Sequence, residues 1–297
     1  MKKSLAESAW QTVCWFDIFG QPVNAEEIHR FLFGAKASQK DVKKVLAKDS
    51  RIGKSFGFYF PRGRSALILK SCAHHHRAEK LWMEALRHRF IFRLTPFLKL
   101  AAVGNTLAMG WPEKNSDIDL LVVAEKNRLF TTRFFLTLFT QIFGMRRSGR
   151  KIAGRFCLSF FLAENSLNLE KIKIGRDDPY LAFWIATLVP IYGKGEEFFA
   201  ANGWVKKYFP NLKLPAIQKK IRQKTFLERV LNRKLGDFLE RVLRNWQLTR
   251  AQRKQKNRGK NAVIISEKIL KFHETDQRKE FLEQWKKRVN SKSVMRK

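Results

Sequence analysis

Two aspartates, Asp117 and Asp119, stand at the head of the apolar run Asp-Ile-Asp-Leu-Leu-Val-Val. On a strand, side chains two apart point to one face, with Cα atoms roughly 6.5 Å apart. Carboxylates so placed can share a hard cation such as Mg²⁺ or Mn²⁺. Ten residues separate the pair from Thr106, which ends a Gly104-Asn105-Thr106 turn after an earlier apolar run. Backbone amides in such a turn can face phosphates, and the Thr106 hydroxyl can join them. Together the residue types point to a magnesium nucleotide seated across residues 101–125, AAVGNTLAMGWPEKNSDIDLLVVAE. Asp-x-Asp alone also arises as a solvated strand-end turn. Three features argue for more than that here: Ser116 and an apolar run bracket the pair, the turn stands at a short fixed distance, and the surroundings are basic. Lys114 could neutralise phosphate charge, although an exposed loop lysine is the simpler reading.

The elements that must position these groups can be read from periodicity and punctuation. Residues 97–103 are apolar and short enough for a buried strand. Residues 106–109 start a helix cut short at Gly110-Trp-Pro, and residues 120–123 continue the second strand. Residues 128–143 form an apolar-rich helix, followed by a basic loop at 145–155. In the strand expected at 156–162, Phe156, Leu158, Phe160 and Leu162 face one way, and Cys157, Ser159 and Phe161 the other. Asp177 or Asp178 caps a helix with Pro179 in its first turn, running to about residue 189, where Pro190 and Gly193 break it. From residue 196 onward the pattern is almost wholly helical and increasingly cationic. Residues 251–260, AQRKQKNRGK, suggest an exposed hinge or a polyanion contact.

Upstream, residues 1–64 read as three short helices and a hairpin. Leu5, Ala9, Val13 and Phe16 recur at helical spacing. Asn24 and Ser38 are N-caps, and Lys40, Lys43, Lys44 and Lys48 lie opposite Val42, Val45 and Leu46. Residues 52–60 alternate loosely around Gly53 and Gly57. This resembles a winged helix-turn-helix, whose third helix commonly contacts nucleic acid; a folding or dimerisation module is the alternative. Residues 65–94 read as one basic helix stopped by Pro96, with Leu67, Leu69, Cys72, Leu81, Leu86 and Phe90 as its apolar positions. Consecutive helical residues diverge by about 100°, so His74, His75 and His76 cannot converge on one ion and read as a solvated face.

The central stretch resembles the polymerase-β-like nucleotidyltransferase superfamily. Its signature pairs a Gly-Ser or Gly-Gly turn with Asp-hydrophobic-Asp/Glu-hydrophobic, matched here by Asp117-Ile118-Asp119-Leu120. Aligning the family serine on Thr106 keeps a hydroxyl and a gap of ten, and puts Asn105 where glycine is usual. Aligning the family glycine on Gly104 puts Asn105 at the serine position. The former is preferred. Farther out, residues 15–22 (WFDIFGQP), 116–120 (SDIDL), 157–161 (CLSFF) and 202–211 (NGWVKKYFPN) resemble bacterial and archaeal proteins that place a winged-helix-like segment before such a domain.

The resemblance implies an α+β fold: a small mixed β-sheet nucleotidyltransferase core with packed helices, preceded by a winged-helix-like module and followed by a helical C-terminal region. The expected division is 1–64, a linking helix at 65–96, the core at 97–195, and a basic helical region at 196–297. It further implies Mg²⁺-dependent transfer of a nucleoside monophosphate from an NTP to an acceptor, nucleic acid or protein, by two-metal phosphoryl chemistry. Asp117 and Asp119 would be catalytic metal ligands, and Gly104, Asn105, Thr106 and Ser116 would bind the nucleotide. Active members usually add a third carboxylate from a following strand. None lies within 156–162, which leaves Glu164 just beyond it, or Asp177, although a loop and a helix cap explain those two more simply.

Sixty Lys and Arg against 26 Asp and Glu give a formal charge of +34, which favours polyanionic partners. Cys14, Cys72 and Cys157 have neither disulfide nor zinc spacing, and their apolar contexts suggest buried free thiols in a reducing compartment. The apolar runs are too short for a bilayer span, so a soluble cytoplasmic protein without membrane contact is expected. Three readings follow: a nucleotidyltransferase, a degenerate nucleotide-sensing regulator joined to a winged helix, and a nucleic-acid-binding protein whose carboxylates are structural.

Overall fold

The computed structural model describes residues 4–214, 225–255, 263–272 and 276–291. The chain opens with α1 (Leu5–Asp17), capped by Ser4, whose side chain accepts from the Glu7 amide. Then come β1 (Val23–Asn24) and α2 (Ala25–Arg30), where Asn24 and Glu27 form a reciprocal capping box. Next are α3 (Gln39–Lys48), capped by Ser38, and the strands β2 (Ile52–Ser55) and β3 (Phe58–Pro61). The three strands pair antiparallel in the order β1-β3-β2. Lys40, Lys43, Lys44 and Lys48 are exposed on α3, while Val42 and Leu46 are buried.

The segment expected as one helix is two, α4 (Leu67–Arg87) and α5 (Phe90–Leu94), broken at His88-Arg89. Its apolar residues are not all inward: Leu69 and Cys72 are exposed, so the expectation that every cysteine is buried fails at Cys72. His74, by contrast, is buried, and Gln21 Nε2 donates to its Nδ1 at 2.6 Å. Only His75 and His76 form the expected solvated face.

The main sheet then begins with β4 (Leu98–Val103), α6 (Asn105–Met109), β5 (Ile118–Ala124), α7 (Leu129–Ile142) and β6 (Phe156–Ala163). Asp178 caps α8 (Pro179–Thr187), as its sequence suggests, by accepting from the Leu181 amide. Pro190 does not merely end this helix. It lies in β7 (Val189–Tyr192), an edge strand beside β4, where a residue without an N–H is tolerated. Beyond α9 (Glu196–Ala201), α10 (Phe226–Val230) and α11 (Lys234–Gln255), the chain is not wholly helical. β8 (Val263–Ile265) and β9 (Ile269–Phe272) form a hairpin that joins the sheet before α12 (Arg278–Asn290). The first five residues of the 251–260 segment extend α11; the rest lie outside the described residues.

The sheet order is β7-β4-β5-β6-β9-β8, with β5 and β6 parallel and every other neighbouring pair antiparallel. The fold is thus mixed α and β. The division at 195/196 does not separate two bodies, because β9 pairs with β6 and α12 packs on α1 and α8. One face of the sheet, with Leu100, Leu121, Phe160 and Leu162, shares a core with the N-terminal helices. There Trp15 meets Phe183 of α8 edge-on at 5.7 Å and Trp285 of α12 at 5.3 Å. The other face, with Ile118, Leu120, Phe156, Leu158 and Phe161, packs under α5, α7 and α11.

The expected alternation along β6 fails between Leu158 and Phe160. Asp119 pairs with Cys157 but Leu121 pairs with Phe160, so three residues of β6 span two of β5. This bulge reverses the phase, sending Phe161 to the face of Phe156 and Leu158, and Phe160 to the opposite one.

Candidate active site

The site lies where β4 ends and β5 begins. Gly104 follows β4, and its amide donates to the Asp119 carbonyl at 3.0 Å, which locks the turn to the strand carrying the carboxylates. A Cβ at Gly104 would stand 3.1 Å from Leu188 and 3.2 Å from the Trp184 indole nitrogen, so only glycine fits without displacing its neighbours. Asn105 follows with φ 52°, the left-handed conformation that asparagine tolerates better than most residues. Its Nδ2 donates to Asp119 Oδ2 at 2.8 Å, and its Oδ1 accepts from Trp184 Nε1 at 2.7 Å. Asn105 is therefore committed to orienting Asp119. Thr106 is half-buried in the first turn of α6, whose leading amides lack partners within the helix.

Asp117 and Asp119 flank Ile118, which is fully buried on the opposite face of the sheet. Arg147, from the basic 143–155 loop, donates to Asp117 Oδ2 at 2.6 Å and reaches Cys157 Sγ at 3.5 Å. Burial, and next the charge of Asp117, lift the Asp119 carboxyl to about 6; the Asn105 bond and Arg147 pull the other way. Burial chiefly pushes the Cys157 thiol up to about 12.

Ligand atoms of Asp117, Asp119 and Cys157 all lie within 4.8 Å of one another. Two carboxylates forced together and partly desolvated fit one hard divalent cation, which would relieve their repulsion. The thiol, protonated at neutral pH, is a poor donor to Mg²⁺. The set does not fit a second such cation, because Cys157 occupies the position on β6 that pairs with Asp119.

Glu164 is not part of this cluster. It follows the far end of β6, where its carboxylate accepts from the Lys126 amide at 2.9 Å and pairs with Lys99 at 3.2 Å. β5 and β6 are parallel, so the whole length of the strands separates it from Asp119. Asp177 is exposed beside the cap Asp178. Ser116 is adjacent in sequence but turned to its own loop: its hydroxyl accepts from the Glu113 amide at 2.8 Å and its carbonyl from Gly154. Lys114 is exposed.

No family model, curated protein or solved structure matches the chain. The site must therefore be judged on its own chemistry. Two recesses adjoin it. One, of about 220 Å³, lies on the N-terminal-module face and is lined by Asn105, Phe160, Tyr180, Trp184, Lys271 and Arg278. The other, of about 990 Å³, opens from Asp119 and Cys157 toward α7 and α11. Of the groups that sequence reading missed, Arg147 had a signal in the arginine-rich loop, and Cys157 in its place on the third strand. Trp184 had none, because its bond to Asn105 depends on how α8 packs against the turn after β4.

Proposed function

We propose that the chain is a nucleotidyltransferase that binds a magnesium nucleoside triphosphate at Asp117 and Asp119 and moves its nucleoside monophosphate to an acceptor. The observation that carries this reading is the carboxylate pair at the head of β5, braced by Asn105 from the turn after β4. Asp117 and Asp119 would hold one Mg²⁺, which supplies Lewis-acid neutralisation of phosphate charge. The half-buried Thr106 hydroxyl, in the turn after β4, would add a hydrogen bond to the nucleotide phosphates. Asn105 and Trp184 keep Asp119 aimed, so little reorganisation is needed as charge develops. Arg147 can move from Asp117 to phosphate oxygens, where a guanidinium binds well. The 220 Å³ recess, with Tyr180 and Trp184 among its walls, suits a nucleobase.

A second reading is a nucleotide-sensing regulator without turnover, and Cys157 is the observation that favours it. A thiol held near 12 cannot deprotonate an acceptor hydroxyl as a third carboxylate would. In that reading the three helices and antiparallel ribbon of residues 4–61 act as a winged helix, with the exposed lysines of α3 on nucleic acid.

The discriminating experiment incubates each labelled nucleoside triphosphate with Mg²⁺ and cell extract, using wild type and the Asp117→Ala/Asp119→Ala variant. The transferase reading expects a labelled product with wild type alone. No labelled product, with magnesium nucleotide still bound by wild type, would end that reading in favour of the regulator.

A further inference from the structure

The 990 Å³ recess beside Asp119 is walled by α7, α11, the 143–155 loop and strands β6, β8 and β9. Arg133, Arg146, Arg147 and Arg250 line it, and Asp119 is the one carboxylate among the described residues that do. Arg133 lies deepest. Its guanidinium stacks on Phe272 at 4.8 Å, and its Nη1 donates to Gln247 at 2.6 Å. Its buried Nε has no partner among the described residues. Burial, then the charges of Arg146 and Arg250, press its pKa down to about 10. Guanidinium groups gathered in a recess repel one another, and an anion bound between them would relieve that repulsion.

Three features narrow the anion. Trp246 stands at the rim, half exposed, with Arg250 5.9 Å over its ring. An exposed indole beside a guanidinium offers a stacking platform for an unpaired base. The cationic track also continues about one turn along α11 to exposed Arg253, a linear arrangement that suits successive phosphates of a strand. Finally, a duplex hides its base faces and is too wide to enter, whereas a few unpaired nucleotides are not.

We propose that this recess binds the single-stranded end of a nucleic acid, with phosphates on Arg133, Arg146 and Arg250 and a base on Trp246, so that the strand's terminal hydroxyl approaches Asp119. Its assignment as the acceptor rests on the nucleotidyltransferase reading; the binding itself does not.

The test is fluorescence anisotropy with labelled single strands of about eight nucleotides, RNA and DNA, without Mg²⁺ or nucleotide. Competitors are the matching duplex and tripolyphosphate. Variants are Trp246→Ala and Arg250→Gln, both at exposed positions and checked for unchanged circular dichroism, with Lys126→Gln at the far end of β5 as control. Trp246→Ala is expected to weaken binding about fivefold or more. Arg250→Gln is expected to lower the slope of log affinity against log salt by about 0.7. The control should match wild type. The proposal is overturned if the duplex competes as well as the single strand, if tripolyphosphate displaces the strand at equal concentration, or if both variants bind like wild type. Strand binding that depends on Trp246 and Arg250, with no transfer by wild type, upholds the recess and removes only its acceptor role. Transfer to a strand at wild-type rate by both variants upholds the transferase and overturns the recess.

Discussion

Asn105 and Asp119 meet side chain to side chain where β4 gives way to β5, with Asn105 Nδ2 2.8 Å from Asp119 Oδ2. One residue here does two jobs. Its backbone makes the left-handed turn out of β4, and its side-chain amide bridges Trp184 to the Asp119 carboxylate. Asn105→Gly keeps the backbone freedom and loses the bridge; Asn105→Ala loses both. Leaving Asp119 and the Trp184 N–H unpaired costs about 1–3 kcal/mol, and a left-handed alanine adds about 1 kcal/mol. Urea denaturation should therefore rank wild type above Asn105→Gly, and Asn105→Ala last. Equal stability of the two variants would remove the conformational part of the argument.

The raised carboxyl of Asp119 gives a signed dependence on pH. The folded state keeps the proton up to about pH 6, whereas the unfolded chain releases it near 3.8. Between those values the folded state binds more protons, so stability falls as pH rises through the window. Without metal, Asp119→Asn should be more stable than wild type above pH 6, by on the order of 1–3 kcal/mol, and equal to it below about pH 4. Adding Mg²⁺ should stabilise wild type at pH 7.5 and leave the variant where it was. Denaturation midpoints at pH 4 and 7.5, with chelator and with Mg²⁺, provide the comparison.

Arg147 stands on Asp117 where a cation would bring its charge. Its pair with Asp117 is partly exposed, so its worth is about 1 kcal/mol at most. Arg147→Gln should tighten Mn²⁺ binding in the absence of nucleotide by up to about fivefold, the same energy expressed as affinity. Titration calorimetry reads this directly, and weaker Mn²⁺ binding by the variant would show that the arginine does not compete.

Trp15 is fully buried against Phe183 and Trp285, so α1, α8 and α12 share one core. Phe183→Ala should cost about 3–5 kcal/mol, the range for emptying a buried aromatic site. Wild-type melting by calorimetry should show one transition, because the N-terminal helices have no separate core to lose. Two resolved transitions would contradict that continuity.

Local signals in the chain were sufficient for much of this. The caps at Asn24, Ser38 and Asp178 are decided within four residues, and each forms as its sequence implies. The apolar-rich stretch around Leu129–Ile142 and the apolar run of Ile118–Ala124 are also local, and both elements stand within a residue or two of their expected bounds. Where the sequence misled, a distant partner intervened. β8 and β9 are three and four residues long; their Val-Ile-Ile and Ile-Leu-Lys-Phe runs become strands because the edge of β6 accepts β9, and β9 in turn accepts β8. Pro190 looks like a helix stop, yet it sits in a strand because only β4 flanks it.

The candidate site divides the same way. The sequence by itself determined that Asp117 and Asp119 share one side of a strand, with a turn before it able to adopt a left-handed residue, because strand periodicity and asparagine's backbone tolerance are properties of a few adjacent residues. Only the tertiary structure decided what stands opposite. Pairing of β5 with β6 puts Cys157 beside Asp119 and carries Glu164 to the far end of the sheet. Packing of α8 brings Trp184 to Asn105, and folding of the basic loop lays Arg147 on Asp117. Those contacts join residues 30 to 79 positions apart, and strand register and helix packing, which no local pattern encodes, fix them.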